Sequence, residues 1–191
     1  MRQLSVLLSL VMLIGLISCQ PKQDRSADIQ TLKSYLSKVD SVEKVFLSID
    51  QDMYNTILGE TKGNLDRFKM GYKGELVKEQ ARVLSEYNNV KRLIKDFPRQ
   101  CKRIESEIER TKIQLNGLIE VMESGADVDG SGRDITKEYL DKQMSVETKV
   151  AESLIEEISE LDGRLVRTSK QYEAAKAPML NLMSELLQNK E

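Results

Sequence analysis

Asp127-Val128-Asp129-Gly130-Ser131-Gly132, with Glu138 beyond it, is the run in this 191-residue chain whose residue types and spacing come nearest to chemistry. Oxygen-bearing side chains stand at positions 1, 3 and 5, glycine at 6 and glutamate at 12, the spacing that wraps a hard divalent cation such as calcium. The pattern departs at position 8, where Asp134 stands in place of the aliphatic residue that ties such a loop down. Glu138 also falls where the first turn of a helix is expected, and acids are favoured there by the helix dipole alone. The expectation is a polar turn, with weak calcium binding as the alternative. Elsewhere the chain has no histidine, which removes the commonest general base and transition-metal ligand. No Ser-His-Asp or Cys-His set, Gly-rich phosphate loop or four-cysteine zinc spacing occurs. Glutamates are plentiful, but none forms a pair distinguishable from a helix surface. The reading is a protein that is not an enzyme, with no catalytic, cofactor-binding or metal-ligating residues.

Charge carries a second candidate. Lys91, Arg92, Lys95, Arg99, Lys102, Arg103, Arg110 and Lys112 form a locally basic belt, interleaved with Asp96, Glu105, Glu107 and Glu109. No aromatic side chains alternate with these cations for base stacking, so nucleic acid is not an expected partner. A solvated helix face is the plain reading, and a docking face for an acidic partner the sharper one. Overall the chain carries 29 basic and 31 acidic residues, a formal charge of −2, so no global field recruits a polyanion.

The elements that must position these residues are helices. Charged residues make up 31% of the chain and aromatics only 5%, with no Trp and three Pro. That composition suits thin seams between long helices better than a thick globular core. Val83, Tyr87, Val90, Ile94, Phe97, Cys101, Ile104, Ile108, Thr111, Leu115, Leu118 and Met122 recur in steps of four and three, apolar but for Thr111. A 3.5-residue period is that of one helix lying along another. Pro98 falls inside this seam without shifting its phase, which favours one kinked helix over two. Cys101 lies on the seam and is read as a buried free thiol, an intermolecular disulfide across a symmetric dimer being the alternative.

A first helix carries Ile29, Leu32, Leu36, Val39, Val42, Phe46, Ile49, Met53 and Ile57, and Gly59 to Asn64 is expected to break it. Asn64 then caps the long second helix, weak around Gly71 and Gly74. A last helix, capped by Thr136, runs through Tyr139, Val146, Val150, Leu154, Ile158, Leu161, Leu165, Thr168, Tyr172, Ala175, Met179, Leu182 and Leu186, with a stutter near Leu154. The predicted fold is all-α. Helices at about 28–58, 64–123 and 136–188 form an elongated antiparallel hairpin of coiled-coil type, with the shorter first helix packed at the anchored end. A four-helix bundle broken at Pro98 is the alternative. The spacing at 127–138 resembles an EF-hand, but an EF-hand splays its helices, whereas these seams ask for helices side by side.

The amino terminus supplies the anchor. Met1-Arg2-Gln3 is a basic start, and Leu4 to Ile17 is an apolar run short for a bilayer span, as in a signal segment. It ends in Leu16-Ile17-Ser18-Cys19, which resembles the lipobox of bacterial lipoproteins. The resemblance implies cleavage after Ser18, diacylglycerol on the Cys19 thiol and acylation of the new amino terminus. Multiple acyl chains hold a protein durably where one does not. It further implies a signal peptide at 1–18, a lipidated tether at 19–25 and a helical domain at 26–191. Gln20 after the cysteine, in place of Asp, implies the outer membrane by that family's sorting habit in enterobacteria, on its periplasmic or surface face. The functional expectation is a non-catalytic scaffold, spacer or interaction module of the cell envelope, attached to the membrane through its lipid and able to self-associate. An accessory subunit of a transport or cell-wall complex, docking through residues 124–134, is the alternative.

Overall fold

Side-chain burial traces the apolar seams over most of the chain. The computed structural model describes residues 24–188. The expected signal segment 1–18, Cys19 and the tether as far as Gln23 lie outside the described residues. Five helices follow in order: α1 Ser26–Leu47, α2 Gln51–Gly71, α3 Lys78–Ile94, α4 Phe97–Ser124 and α5 Lys137–Gln188.

These helices make three tracks along one another. α1 and α2 form the first, α3 and α4 the second, and α5 the third. The first track is parallel to α5. Arg25 meets Asp141, Tyr35 meets Glu152 and Glu60 meets Tyr172, at nearly constant separations of 116, 117 and 112 positions. The second track is antiparallel to α5, with Gln80 facing Glu185, Asn89 facing Gln171 and Arg103 facing Glu157. It is antiparallel to the first track too, with Lys33 against Glu123 and Asn64 against Tyr87. At 52 residues, α5 spans roughly 78 Å and sets the length of the rod.

The all-α class and the antiparallel α4–α5 hairpin are as the periodicity requires. The first track differs from its expected course. Gly59 to Asn64 do not break a helix but lie within α2, and the chain reverses at residues 72–77. The two glycines sit on the exposed face, with nothing within 4 Å of where a Cβ would stand. Each costs about 1 kcal/mol of helix propensity. The opposite face buries Tyr54, Ile57, Leu65 and Phe68, which outweighs that cost. Asn64, expected as a cap, is buried and donates from Nδ2 to the Tyr87 hydroxyl at 2.9 Å. The real interruption comes at Ser48–Asp50, where the Asp50 carboxylate accepts the Met53 amide at 2.8 Å and starts α2. That pause shifts the phase, so Tyr54 is buried where Met53 was expected, and Met53 is 39% exposed. The first track therefore covers the whole hairpin, and the shorter first helix expected at the anchored end is replaced by two helices that together run its full length.

Pro98 interrupts the second track without turning it. α3 ends at Ile94 and α4 starts at Phe97, with Pro98 in its first turn, where no amide hydrogen is needed. Ile94, Phe97 and Cys101 all stay buried across the junction. The pairs on α5 keep their register through it, so the corner required for a four-helix bundle is not made. On α5 the expected stutter disappears. Val146 and Val150 are 45% and 36% exposed, and the fully buried Ala151 takes the seam position before Leu154. Pro178 lies inside α5, with Ala175 and Met179 still buried on either side.

Gly59→Ala and Gly63→Ala should each stabilise the fold by about 1 kcal/mol in urea denaturation, since both sites are helical and open. Destabilisation by either would contradict a helix running through 59–63.

Candidate functional site

The end of the rod where the chain enters α1 also carries the α4–α5 loop. Arg25, expected to end the tether at 19–25, is buried. Its guanidinium bonds Asp141 at 2.6 Å and Asp28 at 2.8 Å, and donates to the Lys137 carbonyl. The start of α1 is thereby clamped to the start of α5. Two antiparallel passes bring the chain back, so the loop at 125–136 lies beside residue 25, and the third pass carries the end of α5 to the far end with the 72–77 connection.

The loop is built from its own residues. Gly125 takes φ 61°, a left-handed conformation that glycine adopts without strain, and ends α4 with its amide on the Val121 carbonyl. Val128 and Asp134 then form an antiparallel bridge. The Ile135 amide reaches the Asp127 carbonyl at 2.8 Å. Within the bridge, Asp129 Oδ1 accepts the Ser131 amide, the Ser131 hydroxyl and the Arg133 amide at 2.6–3.0 Å. Its Oδ2 faces the Arg133 guanidinium at 2.9 Å. The Ser131 hydroxyl, with the other Ser131 and Arg133 bonds, holds the Asp129 carboxyl well below the usual carboxylate range. Thr136 Oγ1 accepts the Tyr139 amide at 3.1 Å and opens α5, as expected of a cap. Glu138 is exposed in the first turn of α5. Asp129, at position 3 of the calcium-like spacing, is therefore committed to hydrogen bonds within the turn. Among the described residues, no three acidic or sulfur-bearing side chains converge to hold a metal ion.

Half of the basic belt is paired with carboxylates. Arg99 pairs with Asp96, Arg103 with Glu157 and Arg110 with Glu107, while Lys112 bridges Asp40 and Glu43 at 2.8 Å each. Arg92, Lys95 and Lys102 remain exposed. Exposed pairs of this kind contribute little each, but those from Arg103 and Lys112 join separate tracks. Beside the junction of α3 and α4, Gln100 donates to Glu157 and accepts from Arg164. Cys101 is buried there, and burial pushes its thiol up to about 11. This setting suits an inert core thiol and not one side of an intermolecular disulfide.

Sequence reading missed Arg25 and the cross-track set of Glu60, Tyr172 and Lys176. In that set the Tyr172 hydroxyl and the Lys176 ammonium, at 3.0 Å, both reach Glu60. Their partners lie more than a hundred positions away, so no local pattern marks them. Compared with protein-family models, with curated proteins and with solved structures, the chain matches none.

Two outcomes test this geometry. A depressed aspartate stabilises the fold fully above its unfolded value and loses that contribution as pH falls through its folded value. Ser131 and Arg133 amide resonances should therefore titrate with a midpoint well below the ordinary aspartate value of 3.8; a midpoint at or above it would contradict the loop geometry. In a Cys19→Ala chain, where Cys101 is the sole thiol, a disulfide reagent at pH 8 should react only after denaturation. Prompt reaction of the folded chain would show an accessible Cys101.

Proposed function

We propose that the chain is a non-catalytic, lipid-anchored scaffold or spacer of the bacterial envelope, attached to the membrane through Cys19. The observation that best supports a spacer is the three-track core, whose buried side chains continue past both helix junctions along a rod of roughly 78 Å. The anchor itself is supported by the residues Leu16-Ile17-Ser18-Cys19. No helix among the described residues is long and apolar enough to cross a membrane.

Anchoring at Cys19 orients the rod. The five steps from Cys19 to Asp24 reach at most about 18 Å. The end bearing Arg25 and the 125–136 loop would then lie close to the lipid surface, with the 72–77 connection and the end of α5 directed away. A partner reached across the envelope would meet the 72–77 end and not the 124–134 loop, which weighs against docking through that loop. Metabolic labelling tests the reading. Labelled palmitate should enter the wild-type chain, whose mature form begins at Cys19, and should not enter Cys19→Ala. Equal labelling of the two, or none in the wild type, rejects the lipid anchor.

A further inference from the structure

Between α1 and α4 runs an open groove of about 660 Å³. Phe46 and Ile108 form a buried apolar floor, while Leu47 and Ile113 stand 70% and 62% exposed along it. Gly117 leaves the floor bare, since nothing lies within 4 Å of where its Cβ would stand. Single exposed aliphatic residues are ordinary, but two lining one groove mark a surface suited to being covered. The rim is acidic. Lys112, the lone cation in the lining, is held by Asp40 and Glu43. Glu105, Glu109 and Glu120 line the same groove without an ion-pair partner among the described residues. Glu105 and Glu109 are one helical turn apart, so their like charges repel each other until a cation arrives.

We propose that this groove docks a cationic amphipathic helix of a partner protein, its apolar face covering Leu47 and Ile113 and its lysines or arginines meeting Glu105, Glu109 and Glu120. From Glu105 to Glu120 the groove runs roughly 22 Å along α4, or about four turns of a docked helix. That is the helix-in-groove mode, with apolar anchors at every third and fourth residue and charge setting orientation. A second copy of this chain fits poorly. A twofold contact through the groove would set these carboxylates against their own images. The belt cations Arg92, Lys95 and Lys102 lie between Val77 and Ile113, a stretch with no large exposed apolar side chain, so they would leave the floor uncovered. The assignment rests on reading the chain as an interaction rod, but not on its lipid anchor.

The test uses the whole chain in mild detergent and a fluorescent helical peptide of about sixteen residues, with leucines on one face and lysines beside them. A control peptide keeps every lysine and replaces the leucines by serine. Anisotropy at physiological salt should show saturable binding of the leucine peptide. Binding should weaken about tenfold or more for the serine control, for Ile113→Glu, and for Glu105→Lys combined with Glu109→Lys. These substitutions are at exposed positions, and circular dichroism confirms that each variant remains helical. Equal binding of the two peptides, unchanged binding by Ile113→Glu, or no saturation up to about 100 µM would overturn the proposal. A dimer in sedimentation velocity that Ile113→Glu abolishes would reassign the groove to self-association and overturn it as well. None of these results alters the palmitate test, so failure of the groove and failure of the anchored-rod reading are separable.

Discussion

Everything in this molecule depends on the continuous burial of apolar side chains where three helical tracks meet along α5. Leu154, Ile158, Leu161, Leu165, Tyr172 and Met179 on that helix are nearly inaccessible, as are Leu32, Val39 and Phe46 on α1. Long helices in water draw their stability from such packing more than from propensity. That is why α2 runs through Gly59 and Gly63, and why Pro98 and Pro178 leave the seam intact. The few polar side chains in the core are mostly satisfied. Thr61 and Thr168 donate to carbonyls one turn earlier, and Asn64 is paired with Tyr87. Thr111 is not, its hydroxyl buried without a hydrogen-bond partner, and at the edge of the core Arg164 Nε is buried in the same state. A group left in that state costs stability.

Charge acts between the tracks and not through the middle. Arg25, Arg103 and Glu60 each reach α5 and Lys112 reaches α1, and together they pin the tracks at the loop end, at mid-length and toward the far end. Such bonds add less to stability than the seam does, yet they resist sliding of one helix past another, which a repetitive seam tolerates. The same distribution explains why the belt at 91–112 is weakly basic in effect, since much of its charge is neutralised by neighbouring carboxylates.

For function, the parity of the tracks matters more than any single residue. The first two antiparallel passes bring the chain back to its entry, so the 125–136 loop lies at that end, and the third pass carries the end of α5 to the opposite end with the 72–77 connection. A rod of this kind offers long side surfaces, and the acidic, apolar-floored groove between α1 and α4 is one on which a partner helix would bury otherwise exposed aliphatic groups. The loop, with Asp129 turned inward onto Ser131 and Arg133, is a self-contained turn.

The sequence alone determined the helical class, the seam from Val83 to Met122, the turn at 125–136 with its Thr136 cap, and the burial of Cys101. These follow from local periodicity and from turn chemistry, which need no partner. Tertiary structure decided where the first track breaks, because a small loss of propensity at Gly59 and Gly63 is outweighed by burial on the opposite face. Gly71 and Gly74 were expected only to weaken a continuing second helix, and that the chain reverses there and not at Gly59 and Gly63 is settled by packing against α3 and α5. The choice of Ala151 over Val150, the burial of Arg25 and the pairing of Glu60 with Tyr172 likewise depend on which helix lies opposite. Contacts between residues more than a hundred positions apart leave no local periodic trace.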